Sequence, residues 1–423
     1  MTWLQRYRVR SFLKNSVWFM PFMGMVFAIV VVRVIRWVDS VIGWEATVSV
    51  EGARAVFGAL ASSMLTFIVF VFSMLLVAVQ LASAQLSPRI IATAFRDRVT
   101  KFALTLIVFT FTFSLAVLSR IDSSVPQISA WVVTYSNVAC VGVYLYMIDH
   151  VGRMLRPVSL LGRVAAEGRT VIEAVYPRRL VERDETQADA ADLPTGPPAR
   201  TVEHSGDGVF LAFDQAGLVE LARRADCVLE LVPQVSDFVA KGNPLFRLHG
   251  GASLAEHDLR QTVAFGPERT MEQDPLFVFR IIVDIASKAL SPAINDPTTA
   301  VLALDQLHHL LRSVGSRHLD TGQVRDATGR LQLVYRTPDW KDFVGLAVTE
   351  IRHFGKDSIQ VARRMRAMLE DLIKAVPPHR AARLRQELDL LHRSVERGFF
   401  EPEDRANAET GDSQGMGGTE PKR

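Results

Sequence analysis

The run Ala55–Pro88 constrains this chain more than any other feature, because its thirty-four consecutive residues include no Asp, Glu, Lys, Arg or His. A helix needs about 20 apolar residues to cross a hydrocarbon core of roughly 30 Å. The run therefore predicts a membrane-spanning helix that is about ten residues longer than the bilayer requires. Its last part, from Gln80 onward, is polar enough to extend beyond the lipid.

Three further uncharged runs, Val17–Val32, Phe102–Ser119 and Ser123–Ile148, predict three more membrane helices. Lys and Arg are concentrated in the amino terminus, in the loop between the second and third spans, and just after the fourth span. Because such residues mark cytoplasmic segments, both termini of this multi-pass chain are expected to be cytoplasmic. Basic residues in the second of these segments are also candidates for contact with the inner leaflet: Arg89, Arg96, Arg98 and Lys101. A loop that merely fixes the topology is the alternative reading of that segment.

The composition agrees with a two-part protein. A mean hydropathy of +0.17 with 22% charged residues is too polar for a chain that lies wholly in a membrane and too apolar for a soluble one. A net charge of +3 over 423 residues does not favour nucleic acid as a partner, and the lipid bilayer is a sufficient partner for the basic residues near the spans. The two cysteines support neither a disulfide framework nor a cysteine-based metal site.

The predicted fold class is a four-helix transmembrane domain followed by a cytoplasmic α+β region, with a small β-rich unit and a helical unit. The domain boundaries follow from composition and hydrophobic period. They give a transmembrane domain at 1–150, a juxtamembrane helix at 151–181, a flexible linker at 182–207, the β-rich unit at 208–270, the helical domain at 271–398 and a disordered tail at 399–423.

Three segments carry a family resemblance: Leu81–Arg89, Glu268–Asp274 (ERTMEQD) and Asp284–Pro297 (DIASKALSPAINDP). Together they resemble the bacterial family of predicted membrane proteins called domain of unknown function 2254, over about residues 12–398. The resemblance implies a bacterial inner-membrane protein with an amino-terminal membrane part and a cytoplasmic carboxy-terminal part. It implies no activity. Ser236 departs from the family pattern, in which a glycine is expected before Asp237.

Small and polar residues of the long second span fall on one helical stripe: Gly58, Ser62, Thr66, Ser73 and Gln80. Apolar residues such as Met64, Val71 and Leu75 cover the opposite face. One interpretation is packing, because small residues let membrane helices approach closely and hydroxyls bond across the interface. The other is that copies of this helix line a conduit, with Val69 or Leu76 as apolar constrictions.

A second candidate is a cytoplasmic polar site made of Arg280, Asp284, Lys288, Asn295 and Asp296. A salt-bridge row along one helix followed by a helix cap explains the same residues, and a ligand or subunit contact is the alternative. His308 and His309 share a helix with Asp305, but adjacent histidines point in different directions and further metal ligands are not evident. The sequence lacks the HExxH, GxSxG, Walker and Rossmann motifs. We therefore expect no enzyme, no cofactor and no metal.

These patterns lead to one functional hypothesis and one alternative. The hypothesis is a homo-oligomeric, channel-like or transport protein whose second helix lines the conduit and whose cytoplasmic region assembles or gates it. The alternative is a membrane-anchored sensor or scaffold whose cytoplasmic region binds a protein partner without conduction.

Overall fold

The computed structural model contains two compact units, which are described separately. The membrane unit is Val9–Ser159, and the sheet-containing unit is Leu160–Arg423 together with Met1–Arg8. The structure describes residues 2–42, 44, 49–85, 97–121, 125–154, 156–180, 196–250 and 254–416.

Long apolar helices make up the membrane unit. Three of them are long and apolar enough to cross a membrane, and α1 and α2, which bend by 81° at the break between them, together form a fourth candidate. The part of the chain that the structure describes therefore contains three or four candidate spans. The helices are α1 (Trp3–Asn15, which starts in the sheet-containing unit), α2 (Phe19–Ile42), α3 (Val50–Gln85), α4 (Arg98–Leu118) and α5 (Gln127–Met154).

Helix α3 is a single element of 36 residues, which at 1.5 Å per residue is about 54 Å long. This length exceeds a hydrocarbon core of roughly 30 Å.

Helix α4 lies at the centre of the membrane unit and is the most enclosed of the three long helices. Its Leu104 and Ile107 are fully buried and share one apolar cluster with Met64 and Val71 of α3. Farther along α4, Phe113 is buried in a second cluster with residues of α2 and α5. Helices α2, α3 and α5 each leave an apolar face exposed, with Phe27, Val69 and Val138 as examples.

A buried carboxylate joins two helices of this unit. Asp39, near the end of α2, is 7% exposed and accepts hydrogen bonds from the Ile128 and Ser129 main-chain nitrogens at 3.1 and 3.2 Å. The Ser129 hydroxyl donates to the same carboxylate at 2.7 Å. Asp39 thus satisfies free N–H groups in the first turn of α5, as a helix N-cap does.

The sheet-containing unit is an α+β assembly. Its strands are β1 (Arg200–Glu203), β2 (Gly208–Phe213), β3 (Cys227–Leu231), β4 (Phe238–Val239), β5 (Pro244–Gly250), β6 (Val263–Gly266), β7 (Gln323–Arg325) and β8 (Leu331–Tyr335). Its helices are α6 (Pro157–Val175), α7 (Gln215–Arg224), α8 (Glu256–Arg260), α9 (Pro275–Ala289), α10 (Pro297–Gly315), α11 (Trp340–Phe354), α12 (Ile359–Ala375), α13 (Pro378–Gly398) and α14 (Pro402–Ala408).

The strands form two sheets. The larger has the order β1-β5-β3-β8-β7, in which β3 and β8 pair in parallel and the other neighbours are antiparallel. The smaller sheet is antiparallel, with the order β4-β2-β6. Phe210, Leu229, Phe246 and Leu333 belong to one buried core that draws on both sheets and on α7.

Helix α9 is the centre of the helical part, because most of its residues are buried, including Val278, Ile282, Val283 and Ile285. It packs against α10 and α11, and α12 then packs against α10 and α13. An aspartate or serine caps the first turns of α9, α10, α11 and α12.

The structure differs from three predicted boundaries. Strand β1 lies inside the predicted linker 182–207, of which residues 182–195 lie outside the described residues. The β-rich unit does not end at residue 270, because β8 pairs with β3 and thereby joins the larger sheet. The predicted disordered tail contains α14 and is described through residue 416, with Ala408 fully buried.

Candidate functional site

The polar stripe of α3 lies on the outside of the membrane unit. Ser62, Thr66, Ser73 and Gln80 are exposed, and Gly58 is half-buried. The closest neighbour of a Cβ atom placed on Gly58 would be Leu118 of α4, at 4.0 Å. Gly58, at the start of the stripe, therefore approaches another helix of the same chain.

The opposite, apolar face of α3 is the one that packs within the chain. Met64, Val71 and Leu75 are 2%, 0% and 6% exposed. Among the described residues, the packed face of α3 is therefore the apolar one, and Ser62, Thr66 and Ser73 stay exposed. The physical reason is that the larger apolar side chains fill the space beside α4, while the hydroxyls are satisfied by their own helix.

Those hydroxyls bond to carbonyls one turn earlier. Thr66 Oγ1 donates to the Ser62 carbonyl at 3.2 Å, and Ser73 Oγ donates to the Val69 carbonyl at 2.9 Å. Each hydroxyl oxygen retains acceptor capacity, so it can also receive a hydrogen bond from outside the helix. Val69 and Leu76, the predicted constrictions, are 60% and 59% exposed on the same outer surface.

A second polar group lies buried between α4 and α5. Asn137 Nδ2 donates to the Val133 carbonyl at 2.7 Å and lies 3.4 Å from Ser114 Oγ. Cys140 Sγ lies 3.2 Å from Thr110 Oγ1. On each helix the two polar residues are three or four positions apart. The sequence shows this spacing, but it does not show which helix is the partner. These uncharged bonds hold two membrane helices together.

The residues predicted to contact the inner leaflet lie in different environments. Arg98 is exposed at the start of α4, and Arg89 and Arg96 lie outside the described residues. Lys101 is instead 5% exposed, and its ammonium donates to the Lys14 carbonyl at 2.8 Å. This correction has a simple cause: the last carbonyls of α1 lack helical partners and attract a cation.

An acid–histidine pair lies beside Lys101. Asp97 accepts hydrogen bonds from Thr100 N and Thr100 Oγ1 at 2.8 and 2.9 Å, which caps α4. The same carboxylate lies 3.0 Å from His150 Nε2 near the end of α5. The sequence alone does not pair His150 with Asp97, because 53 positions separate them.

The predicted polar row on α9 is an ion-pair cluster. Arg280 Nε donates to Asp284 at 2.6 Å, and its NH2 donates to Glu350 of α11 at 2.6 Å. The hydrogen bond to Glu350, opposed by burial and assisted by Asp284, raises the pKa of Arg280. Glu350 was missed by the sequence analysis, because charged residues on an amphipathic helix carry no signal of which neighbour they meet.

The other three residues of that candidate lie at the end of α9 and at the start of α10. Asp296 caps α10, accepting from Thr299 N at 3.0 Å. Asn295 adopts a left-handed conformation with φ of 49°, and the Lys288 carbonyl accepts from Ser291 Oγ at 2.7 Å. The segment from Lys288 to Asp296 therefore ends one helix and starts the next.

The ERTMEQD segment has a structural role as well. Asp274 is 4% exposed, caps α9 through a 3.0 Å bond from Phe277 N, and accepts the Ser236 hydroxyl. Burial raises the pKa of Asp274 against the lowering effect of these bonds. Ser236 has φ of 77°, the conformation that explains why glycine is expected there. Gln273 bonds to both main-chain polar groups of Phe213, so the segment fastens β2 to the start of α9.

His308 is held by two side chains rather than poised for a metal. Its Nε2 lies 2.7 Å from Asp371 and its Nδ1 lies 3.1 Å from the Arg364 guanidinium. Arg364 also donates to Asp305 at 2.7 Å. Among the residues that the structure describes, no group of three or more His, Cys, Asp or Glu is placed to hold a metal ion.

Comparison with known families decides the identity of the chain. The family model described as "Predicted membrane protein (DUF2254)" matches residues 14–371. The chain belongs to this family. The match covers the long apolar helices, both sheets and the segments Glu268–Asp274 and Asp284–Pro297, and it ends inside α12.

Relatives of the chain are uncharacterized proteins. One from Mycobacterium bovis is 26% identical over 428 residues, a match that covers 95% of this chain and 80% of the relative. One from Mycobacterium tuberculosis has the same identity and coverage, and another from that species is 25% identical. No solved structure matches the chain.

Proposed function

We propose that this membrane protein assembles into a homo-oligomer through α3, with the polar stripes of the copies turned toward a shared conduit. The observation that carries the proposal is the outward position of Ser62, Thr66 and Ser73, opposite the face that packs inside the chain. The proposal is a channel-like or transport function in the bacterial inner membrane.

Membrane physics favours a protein partner for such a stripe. Lipid chains are as apolar as leucine, so membrane helices associate through close packing and interhelical hydrogen bonds. Gly58, Ser62 and Thr66 are spaced by four residues, which places small side chains on one line. Copies of α3 can approach closely along this line, and their hydroxyl oxygens can accept bonds from water or from each other.

The lining chemistry suggests a class of conduit. From Ala55 to Gln85, α3 has no ionisable side chain, so its surface offers hydroxyls and an amide rather than fixed charges. Val69 and Leu76 lie near the stripe and would narrow the passage with apolar side chains, a way in which pores gate by excluding water. A proton relay along α3 has no titratable group to use.

The sheet-containing unit is proposed to assemble or gate the oligomer from the cytoplasm. The distribution of Lys and Arg around the spans supports cytoplasmic termini. The unit has an extensive apolar core, and its buried Glu387 carboxylate pairs with Arg383. Close packing of this kind transmits strain through a protein interior.

Cross-linking of the full chain tests the assembly. In a background with Cys140 and Cys227 replaced by Ala, Ser73→Cys is expected to form disulfide-linked dimers in nanodiscs under mild oxidation. Val138→Cys is the matched control, because Val138 is 65% exposed on the membrane surface of α5 rather than α3. A monomeric mass in several detergents, or equal cross-linking at both positions, would contradict assembly through α3 and favour the membrane-anchored scaffold.

Flux measurements test the conduit. Full-length protein in liposomes is expected to release small ions or neutral solutes, and Ser73→Leu is expected to reduce that release by adding an apolar side chain to the lining. Val138→Leu is the corresponding control on α5. An oligomer whose flux is the same with Ser73→Leu as with Val138→Leu would exclude Ser73 from the lining.

A further inference from the structure

Helix α1 has two apolar faces on opposite sides. One face consists of Trp3, Leu4 and Tyr7, which pack on Val209, Leu211, Ala212 and Ala264 of the smaller sheet. At 100° per residue, the second face, made by Val9, Phe12 and Leu13, lies about 180° away. These three side chains are 47%, 49% and 43% exposed. A helix with one face on a sheet has no need of this second apolar face for its own folding.

Exposed basic residues flank the second face. Arg6 and Arg10 lie on one side of it and Arg8 lies on the other, and all three are exposed. Apolar side chains bordered by arginines are typical of helices that lie in the membrane interface and bind anionic lipids. The charge pattern therefore complements a phospholipid headgroup surface.

The turn between α1 and α2 gives the corresponding geometry. The two helices bend by 81° at their break. If α2 crosses the bilayer, α1 lies nearly parallel to its surface. Trp18, in the turn, is 60% exposed and makes edge contacts with Phe12 and Phe22. Tryptophan at this position is typical of the boundary between lipid and water.

We propose that α1 is an interfacial helix that inserts Val9, Phe12 and Leu13 among the lipid chains and binds anionic phospholipid headgroups through Arg6, Arg8 and Arg10. The occupant of the exposed face is thus the bilayer, and the face continues the lipid-exposed surface of α2, where Phe22 and Val26 are also exposed. The proposal does not depend on the oligomer or on conduction.

Spin labels on the full chain in nanodiscs test the insertion. With both native cysteines replaced by Ala, a label at Phe12→Cys is expected to collide more often with oxygen, which concentrates in lipid, than with a water-soluble nickel chelate. A label at Gln386→Cys, an exposed position of α13, is expected to show the reverse preference. If the label at residue 12 is as accessible to the chelate as the label at residue 386, the insertion is refuted.

Charge substitutions test the headgroup contact. In nanodiscs of phosphatidylglycerol, Arg6→Gln/Arg10→Gln is expected to lower the ratio of embedded to water-exposed label at residue 12 by about five-fold per arginine removed. In phosphatidylcholine the change should be small. Arg385→Gln/Arg393→Gln removes the same charge from exposed positions of α13 and should leave the ratio unchanged. Equal ratios for the Arg6/Arg10 variant and the wild-type protein in phosphatidylglycerol would overturn the proposed recognition of anionic lipid.

Discussion

Replacing Gly24 by Ala tests the packing of α2, the helix of the fourth candidate span, against α4. A Cβ atom at Gly24 would lie 2.8 Å from Thr105 Cγ2 and 2.9 Å from the Thr105 carbonyl oxygen. Ordinary contacts begin near 3.4 Å, so the two helices must separate by about half an ångström. Thr105 cannot easily turn aside, because its hydroxyl donates to the Lys101 carbonyl at 2.7 Å.

Two opposing terms set the expected magnitude. Alanine favours a helix over glycine by up to about 1 kcal/mol, whereas overpacking a close contact costs about 1–3 kcal/mol. The control is Gly142→Ala on α5, where no described atom lies within 4 Å of the added Cβ. Only the stabilisation from the higher helix propensity of alanine is expected there. The free energy of unfolding of Gly142→Ala should therefore exceed that of Gly24→Ala by about 1–3 kcal/mol, which corresponds to about 2–12 °C in Tm.

Thermal unfolding of both variants in the same detergent, followed by near-ultraviolet circular dichroism, measures this difference. The Tm of the wild-type protein is expected to lie between the Tm values of the two variants or close to that of Gly24→Ala. If Gly24→Ala matches or exceeds Gly142→Ala in Tm, the close approach of α2 to α4 is refuted.

Three further predictions concern buried polar groups. Glu387 is 1% exposed and lies 2.6 Å from Arg383. Replacing Glu387 by Gln should lower the free energy of unfolding by about 3 kcal/mol, as measured by denaturant unfolding. Asp39→Ala should cost about 1–2 kcal/mol, read as a fall in detergent Tm, because the start of α5 loses its cap. Burial lowers the pKa of His308, although Asp371 acts in the opposite direction. As pH falls, the unfolded chain takes up a proton before the folded one, so the stabilising contribution is present above the ordinary histidine pKa of about 6.5 and is lost as pH falls through the lowered pKa of the folded state. A series of Tm values against pH should show a smaller loss in His308→Gln.

Each of these has a contradicting result. An unfolding free energy unchanged in Glu387→Gln would mean that the carboxylate does not offset the neighbouring guanidinium groups. Asp39→Ala with a wild-type Tm would remove the proposed cap of α5. If wild-type and His308→Gln proteins lose Tm equally on acidification from pH 7 to 5, the acid sensitivity arises elsewhere, for example at His204, whose pKa burial also lowers.

Local patterns predicted many of the elements well. Hydrophobic periodicity predicts a strand at Leu331–Tyr335 and helices at Trp340–Phe354 and Ile359–Ala375, and the structure has these elements with the same bounds. Periodicity and capping residues suffice for such segments, because both act over one or two turns of chain. Short strands such as β4 and β7 were missed, since two or three residues carry no measurable period and form only because a partner strand is present.

The candidate site illustrates the same limit. The period of α3 separates a polar stripe from an apolar face, and the family resemblance is confirmed by the match over residues 14–371. Which face turns inward was not determined by the pattern. In a membrane, burial is decided by the fit of side chains between helices rather than by their polarity, because the surroundings are apolar on every side.

By itself, the sequence determined that the chain has several helices of membrane-spanning character and an α+β region, because charge, apolar length and period are local properties. Only the tertiary structure decided that Met64 and Val71 pack inward, that Lys101 is buried at the end of α1, and that Glu350 meets Arg280. Each of those facts joins residues from different helices, and their contacts depend on packing geometry that no local pattern encodes.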